Sequence, residues 1–225
     1  MTHTLIETAD GSKTIFITEM NEQYHSVNGA ITESEYVFVN KGFVFQQKKA
    51  PVIFEVGFGT GLNVLLTAIN AEKNNRPTTY YTIEKYPLAN EIIKILAYGN
   101  IISNEAINIY EKIHSCEWET TVQISQYFCI HKINADMIDF SVNSLPMFDI
   151  IYFDAFGPDK QPEIWTPEIF QKIYINCLPE AVFVTYSAKG EIRRQLANVG
   201  FEIERLSGPP GKKHILRGIK KISSN

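Results

Sequence analysis

The sequence predicts an α/β fold built on a mostly parallel sheet. From residue 51 onward, short apolar runs rich in β-branched residues alternate with segments of helical spacing, the pattern of strands covered by helices on both faces. The run at 148–153, Phe-Asp-Ile-Ile-Tyr-Phe, is the most apolar of these, as a fully buried strand requires. A glycine-rich turn at 57–61 joins the first such run to the first helical pattern, a strand–turn–helix arrangement typical of ligand-binding parallel sheets.

Residues 1–50 read as an N-terminal β extension packed on the main domain, because 14–18 and 36–40 are dense in β-branched and aromatic residues. Residues 51–225 form the main domain. Its first strand is expected at 52–56, a helix at 61–71, a second strand at 80–84 and a helix at 89–97 with Ile92, Ile93 and Leu96 on one face. The stretch 104–118 reads as a helix followed by a loop, and 121–135 as strand pairs leading to Asp136. After the strand at 148–153 come a helix at 167–177, with Pro167 in its first turn, and a buried strand at 181–186. Beyond a helix near 191–198, the runs 201–206 and 214–219 flank Ser207-Gly-Pro-Pro-Gly211, so an antiparallel hairpin is expected at the C-terminus.

The length of 225 residues suits one such domain, and 44% hydrophobic with 20% charged residues excludes wholesale disorder. No apolar run approaches the roughly 20 residues of a membrane helix, and the first ten residues do not resemble an export signal. Cys116, Cys129 and Cys177 are odd in number and lack paired spacing, so we expect a reduced, soluble, cytoplasmic protein with no disulfide and no metal site. A net charge of −4 gives no general attraction for a polyanion. The average hides an asymmetry: residues 189–225 hold nine Lys and Arg against three Asp and Glu, a local +6 that leaves −10 on the rest. Such a segment is either a solvated face or an edge for nucleic acid.

The strongest local signal is Phe54-Glu-Val-Gly-Phe-Gly-Thr-Gly-Leu-Asn63. Gly57, Gly59 and Gly61 let backbone approach a ligand, and the following helix N-terminus offers free N–H donors, so a nucleotide-type cofactor is the natural occupant. A dinucleotide fingerprint would need Gly or Ala at position 62, where this chain has Leu62. Glu84 ends the second strand, where its carboxylate is either an acceptor for ribose hydroxyls or a solvated surface acid. Asp136 could accept from an adenine amine with Met137 against the ring, or cap the segment that follows it.

The second signal is Asp149-Ile-Ile-Tyr-Phe-Asp-Ala-Phe-Gly-Pro-Asp-Lys-Gln-Pro-Glu-Ile-Trp165. Asp154 falls at the carboxyl end of the apolar strand, the sheet edge where ligands bind, and the loop with Phe156 could hold an amine or a base. Asp149 reads as a residue at the strand's start, and the histidines as unremarkable. His114 and Cys116 alone do not make a metal site.

Together these motifs are similar to the methyltransferase domain of the bifunctional enzymes of tRNA 5-methylaminomethyl-2-thiouridine synthesis (MnmC-like, in the stand-alone MnmD form). The resemblance rests on Glu55-Val-Gly-Phe-Gly-Thr-Gly-Leu-Asn63, Glu84-Lys-Tyr-Pro87, the segment 154–166, Arg193-Arg194 and Gly211-Lys-Lys-His214. It extends upstream to Tyr24-His-Ser-Val-Asn-Gly-Ala30 and Glu33-Ser-Glu-Tyr-Val-Phe38, so it spans nearly the whole chain. It implies a class I S-adenosylmethionine-dependent methyltransferase fold, Rossmann-like, with a seven-stranded sheet whose last strand is antiparallel. It also implies methylation of the 5-aminomethyl group of the wobble uridine in tRNA.

On that resemblance, the cofactor-binding residues would be Glu55, Gly57, Gly59, Gly61, Asn63, Glu84, Lys85, Asp136 and Met137. Asp154 would bind the amine, with Tyr24, Phe156 and Trp165 as pocket walls, Trp165 being otherwise an ordinary core residue. Lys160, Arg193, Lys212 and Lys213, with Arg217, would contact phosphates of the tRNA anticodon loop. Bifunctional members carry a flavin-dependent oxidase domain after the methyltransferase, and this sequence ends at Asn225 with no second dinucleotide motif. A separate enzyme is therefore expected to supply the aminomethyl precursor. The competing expectations are an aminopropyltransferase-like enzyme acting on a free diamine and a catalytically silent cofactor-binding subunit.

Overall fold

A computed structural model describes residues 2–222; Met1 and residues 223–225, which end the two expected segments, lie outside the described residues. The chain opens with a three-stranded antiparallel sheet, β1 (His3–Glu7), β2 (Lys13–Ile17) and β3 (Glu22–Gln23). A short helix α1 (Ala30–Ser34) then runs directly into a π-helix, Glu35–Phe43.

Here the structure corrects the sequence reading, which placed a strand at 36–40 within an extension that was β throughout. Val37, Phe38, Val39 and Phe43 are all buried in the same apolar cluster as Leu65 and Tyr152. A helical turn brings these neighbours onto one packed surface, and tertiary burial overrides the weak β-preference of the residue types. Residues 30–43 thus share the core of the main domain.

The main sheet has eight strands in the order β10-β11-β9-β8-β4-β5-β7-β6. They are β4 (Val52–Val56), β5 (Thr78–Ile83), β6 (Thr121–Ser125), β7 (Phe128–Ile133), β8 (Phe148–Phe153), β9 (Cys177–Thr185), β10 (Phe201–Ser207) and β11 (His214–Lys220). Strands β7, β5, β4, β8 and β9 are parallel neighbours, while β11 runs antiparallel between β9 and β10. The expected C-terminal hairpin is present. The expected count of seven strands is corrected to eight, because β6 turns back and pairs antiparallel outside β7.

The period of two along each strand divides the core. Ile53, Ile150, Tyr152, Val182 and Val184 face the layer holding α2 (Leu62–Lys73) and α5 (Asn104–Ser115), with α3 (Asn90–Leu96) and α4 (Tyr98–Ile102) between them in sequence. Phe54, Ile151, Phe153 and Phe183 face α6 (Pro167–Ile175) and α7 (Gly190–Asn198). Both faces are covered, which is why every residue of β8 is buried. At the start of β8, Asp149 accepts from Lys48 Nζ and from the Val52 amide, each at 2.8 Å, and so stitches two strand starts far from the glycine turn. No helix among the described residues is long and apolar enough to cross a membrane.

Phe38 is fully buried and its ring lies 5.2 Å from that of Tyr152 on β8. Replacing it with alanine (Phe38→Ala) is expected to destabilise the whole domain by about 3–5 kcal/mol, read as a lowered urea midpoint with one cooperative transition. A wild-type midpoint would show that the π-helix is not part of the common core.

Candidate functional site

The carboxyl ends of the parallel strands open onto a cavity of about 580 Å³, within the range for a small-molecule site. Its floor is the turn after β4. Gly57 has φ +95, and a Cβ there would stand 2.8 Å from the Asp154 carbonyl oxygen, so only glycine lets the two strand ends lie this close. Gly59 has φ +49 and faces Tyr24, whose ring carbon would be 3.2 Å from an added Cβ. Buried side chains fix the turn from behind. The Thr60 carbonyl accepts from Tyr110 Oη at 3.1 Å and lies 3.2 Å from His114 Nε2, while Thr60 Oγ1 is 2.7 Å from His25 Nε2. Burial lowers the pKa of His25 to about 4 and, with the charge of Lys132, that of His114 to about 3, so both rings are neutral near pH 7.

Glu84, just past β5, lines the cavity and receives the Gly59 amide on one carboxylate oxygen at 3.0 Å and the Tyr86 amide on the other at 2.8 Å. Asp136 pairs with Lys85 Nζ at 2.6 Å and accepts the Ile138 amide at 2.9 Å, so it both caps the following turn and lines the cavity beside Met137. Lys85 is exposed at the rim. Of the expected cofactor residues, Glu55 is fully buried beneath the turn and Gly61 lies behind it against His114, so neither lines the cavity directly.

Glu55 instead belongs to a chain of side chains that ends at Asp154. Thr82 Oγ1 donates to Glu55 Oε2 at 2.7 Å, and Asn63 Nδ2 donates both to Glu55 Oε1 at 3.0 Å and to Asp154 Oδ2 at 2.7 Å. Asn63 Oδ1 is buried with no hydrogen-bond partner. Burial raises the Glu55 carboxyl to about 8, against the opposing hydrogen bonds from Thr82 and Asn63. Asp154 is also pushed well above the ordinary carboxylate range, by burial first and by Glu55 second. The two carboxyls therefore hold a proton as a pair, Glu55 fully enclosed and Asp154 open onto the cavity.

At the far end of the cavity, Tyr24 meets Phe156 edge to face, with ring centroids 4.9 Å apart. Of the two readings of Trp165, wall or core, the structure favours core: it is buried against Phe153 and donates Nε1 to the Phe156 carbonyl at 2.7 Å, supporting the loop. Lys160 lines the cavity, whereas Arg193 and Lys213 are exposed and do not. Lys212, expected as a phosphate contact, turns its ammonium inward, 3.2 Å from Glu33 Oε1. Arg217 is buried, paired with Glu204 at 2.6 Å and stacked on Phe45. The sequence reading missed His25, Glu33 and Tyr186 as cavity residues. The first two lie inside the upstream motifs that carried the resemblance. Among the described residues no cluster of three His, Cys, Asp or Glu side chains could hold a metal.

A parallel sheet with a glycine turn and acids at the ends of three of its parallel strands around one cavity is a nucleotide-type cofactor site in architecture. The chain belongs to a family described as S-adenosyl-L-methionine-dependent methyltransferases, whose model matches residues 103–221. It is 28% identical over 208 residues, 87% of its own length, to the "tRNA 5-methylaminomethyl-2-thiouridine biosynthesis bifunctional protein MnmC" of Paraburkholderia phymatum. It spans about a third of that relative, 32% of its length. The crystal structure of MNMC2 from Aquifex aeolicus superposes with a TM-score of 0.77 at 24% identity, covering 100% of this chain and 72% of that one. A spermidine synthase shares the fold more distantly, with a TM-score of 0.58 and 13% identity over 98% of this chain and 69% of that one. The fold is that of class I S-adenosylmethionine-dependent methyltransferases.

Two outcomes are expected at this site. Gly59→Val would push a branched side chain into Tyr24 at a positive φ, and calorimetric affinity for S-adenosylmethionine should fall at least about tenfold; unchanged affinity would reject the turn as the cofactor seat. The second concerns Glu55, whose folded value of about 8 exceeds its ordinary 4.5. The unfolded chain releases this proton first, so the group costs stability as pH rises from about 4.5 to 8 and no further above that. Glu55→Gln should therefore gain stability relative to the wild type across that window in urea titrations. Parallel pH curves would contradict a proton held on Glu55.

Proposed function

We propose that this chain transfers a methyl group from S-adenosylmethionine to the 5-aminomethyl group of the wobble (2-thio)uridine in tRNA, giving the 5-methylaminomethyl nucleoside. The observation that carries the reading is Asp154, a carboxylate at the cavity edge of β8, set between the glycine turn and the Tyr24–Phe156 pair. The names of the relatives supply the nucleoside.

The residues present fit the cofactor. The close-packed glycine turn, the Glu84 carboxylate at the cavity wall, Asp136 beside Met137 and the unpartnered Asn63 Oδ1 offer a nucleoside and an amino-acid tail complementary groups. When bound, S-adenosylmethionine supplies an electrophilic methyl group on a sulfonium. Asp154 accepts an N–H of the substrate amine and aims its lone pair at the reacting carbon, a positioning effect. The aromatic walls disfavour the ammonium form, keeping the amine nucleophilic. After transfer, Asp154 takes up the proton that the product ammonium must lose. Lys160 at the mouth and Arg193 and Lys213 on the surface are the proposed phosphate contacts to the anticodon loop. A separate enzyme would supply the aminomethyl nucleoside, and the setting would be the cytoplasm.

The test is methyl transfer from labelled cofactor to tRNA bearing 5-aminomethyl-2-thiouridine, with putrescine as the competing acceptor. Label in the tRNA nucleoside is expected. Label in putrescine alone would favour an aminopropyltransferase-like amine site, and binding without transfer would favour a silent subunit. Asp154→Ala should retain cofactor binding and lose about 100-fold or more in turnover; near-wild-type turnover would remove Asp154 from the chemistry.

A further inference from the structure

Lys212 sits in the turn between β10 and β11, and that turn is held in place. Tyr36 Oη donates to the Ser207 carbonyl at 3.1 Å, the Lys212 amide donates to the Pro209 carbonyl at 2.9 Å, and a Cβ on Gly211 would stand 2.1 Å from Asn28 Nδ2. The lysine is thereby directed inward. Its Nζ lies 3.2 Å from Glu33 Oε1 and 4.6 Å from the centre of the Tyr186 ring. Tyr186 Oη donates to the carbonyl of Ala155, the residue after Asp154, at 2.8 Å.

Glu33 is buried. Its Oε2 receives the Ser26 amide at 2.9 Å, while its Oε1 makes no hydrogen bond and has only the lysine charge beside it. A carboxylate oxygen, a second carboxylate at Asp154 and an aromatic face make a seat for a cation, and the protein's own ammonium fills it. Glu33 on α1 and the Tyr186 ring after β9 lie against that ammonium, Asp154 after β8 feels its charge, and Glu22 on β3 lines the same cavity. At the rim, Asp159 pairs with Lys189, with Lys160 and Glu163 nearby.

We propose that Lys212 determines substrate specificity: its ammonium neutralises the carboxylates at the acceptor end, so the site admits an uncharged amine carried on a nucleic acid and turns away free diamines. The inference rests on the amine-methylating reading above. A dication entering the cavity meets a like charge where its second ammonium would need a carboxylate. A substrate amine in the same place is held deprotonated by the neighbouring positive charge.

The test compares wild type with Lys212→Met, Lys212→Arg and Glu33→Gln. Calorimetry with putrescine needs no tRNA. Lys212→Met should bind the diamine roughly tenfold more tightly than wild type, the equivalent of about one pKa unit, and Lys212→Arg should restore exclusion. In kcat/KM for aminomethylated tRNA, the rise with pH should move up by about one unit in Lys212→Met and down in Glu33→Gln, where the ammonium is less compensated. Unchanged putrescine affinity with an unshifted profile, joined to a uniform loss of tRNA affinity and a salt slope reduced by about one, would overturn the proposal and make Lys212 a phosphate contact. Wild-type enzyme that methylates no tRNA would instead defeat the proposed function, and the putrescine arm would still decide the role of Lys212.

Discussion

A single amide, Asn63 Nδ2, holds the reaction end of this molecule together. It comes from the first turn of α2 and donates at once to Glu55 at the end of β4 and to Asp154 just past β8. Those strands are parallel neighbours, so their carboxyl ends place two acids side by side in a poorly solvated space. Two carboxylates there would repel strongly if both were ionised, and one shared donor cannot compensate both. The arrangement is stable when a proton is retained, and burial raises both carboxyls so that the pair holds it. Of the two, Asp154 is the one that opens onto the cavity. The glycine turn, the close approach at Gly57 and the buried rings behind Thr60 keep the three groups in register.

The sheet alone supplies only half of the site. The turn after β4, Glu84 and Asp136 come from strand ends in sequence order, as the fold dictates. The opposite wall comes from the two ends of the chain. Backbone pairing of Tyr24 with Ile15, and the bond from the His25 amide to Thr14, carry these rings from the small sheet over the glycine turn. Asp10 accepts the Thr32 amide at 2.9 Å, anchoring α1 and with it Glu33. The C-terminal turn brings Lys212. On the proposed reading, cofactor chemistry is lodged in the shared sheet and acceptor choice in segments attached to it, the division expected when one fold serves many reactions.

This division also sets what was legible in the sequence. Buried runs, the glycine turn and an acid at each strand end are local patterns, and the positions of Glu84, Asp136 and Asp154 around one cavity followed from them. The residues misread are those whose direction depends on distant chain. Residues 36–40 have the composition of a strand but gain more apolar contact as a helix laid on β8 and α2. Trp165 has the size of a pocket wall, yet Phe153 and Phe170 enclose it and the Phe156 carbonyl takes its N–H. Whether Lys212 faces a phosphate or a carboxylate is decided by Glu33, which no short-range pattern connects to it. The eighth strand was visible as a strand pair at 121–135; its antiparallel return outside β7 was what the seven-strand resemblance left out.

The charge asymmetry takes on a different meaning once these contacts are counted. Of the cations in the basic C-terminal segment, Arg217 is paired with Glu204, Lys221 lies 3.9 Å from Glu202, Lys189 pairs with Asp159 and Lys212 with Glu33. Lys220 is spent on the carbonyls of Tyr174 and Cys177. Among the described residues, Arg193, Arg194, Arg205 and Lys213 remain exposed and without an acidic partner. So few free cations in this segment, on a chain of net charge −4, support only a shallow salt dependence from it, since each neutralised phosphate contributes about one unit of slope. On the proposed reading, the backbone of the tRNA is therefore held weakly, and recognition falls to the nucleoside that enters the cavity. There Asp154, the aromatic walls and an ammonium supplied by the protein itself test for one property that a free polyamine lacks, a lone uncharged amine.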